Sequence, residues 1–157
     1  MCKIQKIADY LIFRGEELVP LNIEEIKTIE AFYDVKLPQT YKEFLLLMGK
    51  DAGKYMLGTS AFYGDIFELQ EWGFELYREN GVENIPADAF TFWMHQGYQA
   101  VFFRTSEGDD PPVYYYIEGS AENKFVLKEK SLSDFFYKML PFSYFDFNEN
   151  EFIKICS

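Results

Sequence analysis

A chain of 157 residues, 48% hydrophobic and 26% charged, is long enough to bury a core, and this balance excludes both a disordered polymer and a membrane-embedded one. Its 15 Lys and Arg face 26 Asp and Glu, and a net charge of -11 repels phosphate backbones, so direct nucleic-acid binding is not expected. The same charge either steers a basic partner towards the chain or only keeps it soluble.

The first third reads as helices. Ile4, Ile7, Ala8 and Leu11 recur at helical spacing and mark one apolar stripe on a helix ending near Gly15. Asn22 caps a second helix, with Glu25 in capping-box position and Ile26, Ile29 and Tyr33 as its buried stripe. That helix stops before Leu37-Pro38, because a residue preceding proline is pushed out of the helical region. Pro38 suits the first turn of a third helix, which places Tyr41, Phe44, Leu45 and Met48 on one face. Gly49 reads as its left-handed terminator.

The middle changes character. Tyr55 to Thr59 and Asp65 to Leu69 read as short strands between glycines, and Gln70 to Asn80 as a helix with Trp72, Leu76 and Phe74 towards the core. Three aromatic runs follow as strands, about Phe90 to His95, Gln99 to Thr105 and Pro112 to Ile117. Gln96-Gly97 forms a tight turn between the first two. Alternation puts Val113, Tyr115 and Ile117 on a core face and Tyr114, Tyr116 and Glu118 on a wetter one. A strand Phe125 to Leu127 precedes a last helix, where Ser131 and Asp134 repeat the capping-box spacing ahead of Leu132, Phe135, Phe136 and Met139. The tail beyond Pro141 is aromatic and acidic and shows no clear period. The expectation is one α+β domain over residues 1–157, an antiparallel-rich sheet of about five to six strands with helices from both terminal segments packed on it.

Residues Ile23 to Gly49, IEEIKTIEAFYDVKLPQTYKEFLLLMG, resemble the signature of the SUKH superfamily of cell-wall-assembly-regulator-like (Smi/Knr) domains. That signature has an acidic helix residue, a Leu-Pro break, and a helix with Tyr or Phe, a Phe-Leu pair and a final Gly; here these are Glu30, Leu37, Pro38, Tyr41, Phe44, Leu45 and Gly49. The blocks FTFWMHQGYQAVFFR, EGDDPPVYYY and SLSDFFYKML extend the likeness in order and spacing over about residues 20–141. The resemblance implies an α+β fold without an established catalytic centre. It also implies an immunity protein that neutralises a cognate toxin, often a nuclease, or a regulatory interaction protein like the fungal relatives.

His95, the one histidine, would sit with Thr91 and Trp93 on one strand face; a hydrolase reading needs a carboxylate beside it, and no Ser or Cys nearby has a nucleophile context. Glu107, Asp109 and Asp110 lack the EF-hand spacing, and Pro111-Pro112 marks them as an acidic hairpin tip. Gly49, Gly53 and Lys54 fail as a phosphate loop, with three residues between the glycines and Tyr55 after the lysine. Gly58-Thr59-Ser60 lacks the closing glycine of a nucleophile elbow. The rings of Trp93, Phe102, Tyr114 and Tyr116 form either a platform or a covered layer; with only Arg104 among nearby acids, a platform would suit protein better than single-stranded nucleic acid.

Cys2 and Cys156 are too few for a disulfide framework or zinc site, the mixed polar first residues lead us to expect no signal segment, and no apolar run reaches membrane length. The expectation is a cytoplasmic, non-enzymatic binding module without cofactor or metal. It would meet a toxin or other basic protein through Glu107, Asp109, Asp110, Tyr114, Tyr116 and Glu118.

Overall fold

The structure, a computed structural model, describes residues 3–143 and 147–156; Cys2, one of the two thiols, lies outside them. Helices α1 (Lys3–Phe13), α2 (Ile23–Tyr33) and α3 (Gln39–Met48) follow one another as expected. Ile4, Ile7, Ala8 and Leu11 of α1, Ile26 and Ile29 of α2, and Tyr41, Phe44, Leu45 and Met48 of α3 are buried together. The capping box at α2 is complete: Glu25 N donates to Asn22 Oδ1 at 2.8 Å, and Asn22 N donates to Glu25 Oε1 at 3.1 Å.

The Leu-Pro break has a specific partner. Glu30, near the end of α2, accepts a hydrogen bond from Leu37 N at 2.7 Å and an ion pair from Lys42 of α3 at 3.6 Å. One carboxylate thereby ties the α2 exit to the α3 entry while Leu37 drops into the core. Gly49 does end α3, but with a right-handed φ of -67°. Its missing side chain matters for space: a Cβ there would lie 2.9 Å from Leu21 Cγ.

Beyond this point two expected strands are absent. Residues Tyr55 to Thr59 form consecutive turns, and Asp65 to Leu69 lie inside a longer helix, α4 (Tyr63–Glu79). The sheet therefore has four antiparallel strands, in the order β1 (Ala89–His95), β2 (Gln99–Arg104), β3 (Val113–Ile117) and β4 (Val126–Glu129). Gln96 and Gly97 take positive φ, 51° and 76°, as a tight β1–β2 turn requires. Helix α5 (Leu132–Ser143) then buries Leu132, Phe135, Phe136 and Met139, and the tail ends in a short helix, α6 (Glu149–Cys156), whose Phe152 packs edge-on against Tyr10.

Both faces of the sheet are covered. Helices α1, α2, α3 and α5 lie over Phe90, Phe92, Trp93, Val101, Phe103 and Val113, while Leu69, Leu76 and Tyr77 of α4 lie over Met94, Ala100, Phe102 and Tyr116. This corrects the expectation of a wet face: Tyr116 is 0% exposed. Trp72 and Phe74 are only half-buried, and Gly73 and Tyr77 occupy the inner face of α4 instead.

Simple alternation also fails in β1. Thr91 pairs with Phe102 but Trp93 pairs with Val101, so Phe92 is an extra residue, a bulge. The bulge turns Phe92 and Trp93 to one side, where both rings meet Phe135 at 5.2 and 6.0 Å. Thr91 is left facing α4, where its hydroxyl meets Tyr77 Oη at 3.0 Å. His95 and Thr91 therefore do not share a face with Trp93 as a trio.

The dense aromatic core predicts a steep loss of stability in alkali. Burial pushes the phenols of Tyr41, Tyr55 and Tyr77 well above the ordinary 10.0, and burial with the charges of Glu68 and Glu71 pushes Tyr33 up to about 12. Below the ordinary value neither folded nor unfolded chain ionises these groups, so their contribution is intact. Above it the unfolded chain releases protons that the folded chain retains, and stability falls as pH rises. The urea midpoint should hold to about pH 10 and then drop steeply. Tyrosinate absorbance of all the tyrosines appearing while the fold stays intact would contradict this.

Candidate functional site

Helix α4 reads YGDIFELQEWGFELYRE, and its sequence divides into two faces. The inner face grips β1: Gln70 Nε2 donates to Thr91 O at 2.7 Å, and Thr91 N donates to Gln70 Oε1 at 2.9 Å. On the outer face, Glu68, Glu71, Glu75 and Glu79 are all exposed. At about 100° per residue their spacing of three, four and four confines them to an arc of roughly 80°, with Trp72 about 20° beyond its edge. None of the four pairs with a cation among the described residues. Elsewhere the carboxylates of Glu25, Glu30, Asp88, Glu129 and Asp134 are each matched by Lys or Arg.

Features at both ends extend this stripe. Towards its start, Phe32 is 62% exposed and packs edge-to-face on Tyr33 and Phe67, at 4.8 and 5.2 Å, with Tyr63 against Phe67 at 5.3 Å. Towards its end, α4, the β1–β2 turn and the Gly58–Ser60 segment enclose a cleft of about 550 Å³. Glu75, Glu79 and Glu118 bring three carboxylates to that cleft, and Trp72 and Met94 bring apolar surface. The arrangement suits a cationic, partly apolar guest, such as the side chains of a basic protein.

The residues expected as contacts do not form one patch. Glu118 lies at the far end of β3 and lines the cleft. Glu107, at the near end, accepts from Tyr114 Oη, 3.1 Å from each carboxylate oxygen; burial and this bond push the Tyr114 phenol upward. The carbonyl of Asp109 accepts from Thr40 N at 2.9 Å, at the start of α3. Asp110 caps α5, accepting from Ser133 N at 2.9 Å and from its hydroxyl at 2.7 Å. Tyr116 is buried and bonds Asn123. The hairpin tip is thus stitched to two helix starts, and the second of these bonds gives its acids a local structural use.

His95 is half-buried, its ring stacked on Trp93 at 6.0 Å and edge-on to Tyr98 at 6.2 Å. It is not among the residues lining the acidic cleft. No three His, Cys, Asp or Glu side chains converge as a metal site among the described residues. No helix among them is long and apolar enough to cross a membrane. The stripe on α4 was missed because reading Asp65 to Leu69 as a strand cut Glu68 from Glu71, Glu75 and Glu79. The three-four-four spacing of the acids was the available signal.

An α+β domain offering a broad acidic helix face with aromatic margins has the surface of a protein-binding module. The chain belongs to the SMI1 / KNR4 family (SUKH-1), whose family model matches residues 20–138. No curated protein matches it significantly.

Proposed function

We propose that this chain is a non-catalytic immunity protein that holds and occludes a basic toxin through the outer face of α4. The observation that carries the reading is the row Glu68, Glu71, Glu75 and Glu79, unpaired among the described residues and running into a cleft that adds Glu118. Like charges three and four residues apart cost a helix about 0.2–0.5 kcal/mol per pair, so the row opposes the fold until a cationic partner neutralises it. Membership of the SMI1 / KNR4 family supports an interaction role.

The division of labour follows from general interface physics. Trp72 and Phe32 serve as desolvated anchors, and the carboxylates raise the association rate and reject acidic competitors. Glu107, Asp109 and Asp110 add to the field from the other end of β3, with Tyr114 behind them.

Co-expression with a basic toxin domain encoded beside this gene tests the proposal. The expected results are restored growth and a complex whose association slows as salt rises. No protection and no complex would sink it. Capture of a housekeeping protein that binds the same face would replace the toxin reading by the regulatory one.

A further inference from the structure

A smaller cavity, of about 130 Å³, lies between α5 and the face of the sheet opposite α4. Trp93, Tyr115, Phe135 and Met139 give it apolar walls, and Gln99 and Lys128 are its polar residues. Two donors here have no oxygen or nitrogen acceptor among the described residues. Trp93 is 5% exposed, and its Nε1–H has no acceptor among the described residues. Lys128 holds its ammonium 5.4 Å from the centre of the Tyr115 ring and pairs with no carboxylate among the described residues. A buried indole N–H without a protein acceptor works against folding, so its retention calls for a reason. The bulge at Phe92 is what turns Trp93 to this side, and bulges commonly re-aim a side chain next to a site.

We propose that this cavity binds a small apolar carboxylate. A single ring or branched aliphatic group packs against Phe135 and Met139, and the carboxylate accepts from Trp93 Nε1–H and from the Lys128 ammonium. Both groups are donors only, so a carboxylate accepts from both at once, whereas a neutral hydrocarbon accepts from neither. The volume far exceeds what one water needs, and Met139, Gln99 and Lys128 are unbranched, so a guest enters by rotamer changes alone. The carboxylate comes either from a free small acid or from the C-terminus of a protein ending in an apolar residue. This site lies across the sheet from α4 and stands independently of the toxin-binding reading.

The test is a titration of the full chain carrying 15N-labelled indoles, with Trp93 told from Trp72 by Trp93→Phe. The probes are benzoate, 4-methylpentanoate, benzamide, and a short peptide ending in leucine as free acid or as amide, each to about 10 mM, where fragments of this size bind. The expected result is a saturable shift of the Trp93 indole signal with an acid and none with its amide. Lys128→Gln, at an exposed position of β4 where the fold tolerates it, should weaken binding about tenfold. Saturation by the small acids assigns a free ligand, and saturation by the peptide acid alone assigns a protein C-terminus. No shift with any acid, an equal response to benzamide, or indifference to Lys128→Gln overturns the proposal.

Discussion

Replacing Gly73 with leucine is expected to cost the protein about 3 kcal/mol or more, a large share of the stability of a domain this size. Gly73 lies on the inner face of α4, and a Cβ there would come within 2.7 Å of Thr91 Oγ1 and 3.2 Å of both Thr91 Cβ and Cγ2. Thr91 cannot yield easily. Its backbone is held on both sides by Gln70, and its hydroxyl by Tyr77. Gln70, Gly73 and Tyr77 follow one another at helical spacing, so a single face of α4 closes on a single residue of β1. A glycine inside a helix costs about 1 kcal/mol against alanine, and close approach to Thr91 is what it supplies in return. Gly64 on the same helix has nothing within 4 Å of its added Cβ, so Gly64→Leu serves as the control and should change little. Urea midpoints of the two variants decide the matter. Equal midpoints would mean that α4 does not lie this close to the sheet.

Glu71→Lys combined with Glu79→Lys is expected to weaken binding to a basic partner about 100-fold while stabilising the free protein by about 1–3 kcal/mol. The design follows the stripe. With acids at 68 and 75 and lysines at 71 and 79, each repulsive neighbour pair becomes an attractive one, and the lysine at 79 also suits the helix C-terminus. Binding and stability therefore move in opposite directions, which general damage to the fold cannot mimic. Urea titration of the free protein and association kinetics with the partner read the two effects separately. Retained binding alongside raised stability would remove the α4 face as the interface.

How much of this was legible in the sequence depended on how local the cause was. The first three helices were readable because period, capping box and Leu-Pro break all act within a few residues; Asn22 with Glu25 and the row Tyr41, Phe44, Leu45, Met48 are examples. Asp65 to Leu69 misled because Gly64 and the Ile66-Phe67 pair imitate the bounds and content of a strand, while its helical state is fixed by packing of Ile66 and Leu69 far along the chain. The bulge at Phe92 left no local mark, and every face assignment that crossed it inherited an error of one residue. The acids at the hairpin tip were visible as acids, but their bonds to Thr40 and Ser133 depend on where two helices begin in space.

The two borders of the sheet differ in what they permit. On β1 the free polar groups are occupied, Thr91 by Gln70 and Met94 by Ser60, so no further strand can add there without displacing them. On β4 the border pairs with no further strand among the described residues and carries Leu127, which is 50% exposed. Such a border invites chains to polymerise through it. This one is only four residues long, contains Lys128 and is flanked by Lys124 and Lys130, so a scarce type of charge in an acidic chain is gathered where two copies would otherwise join. Self-association through β4 would crowd these lysines together, and that repulsion works against polymerisation along this border.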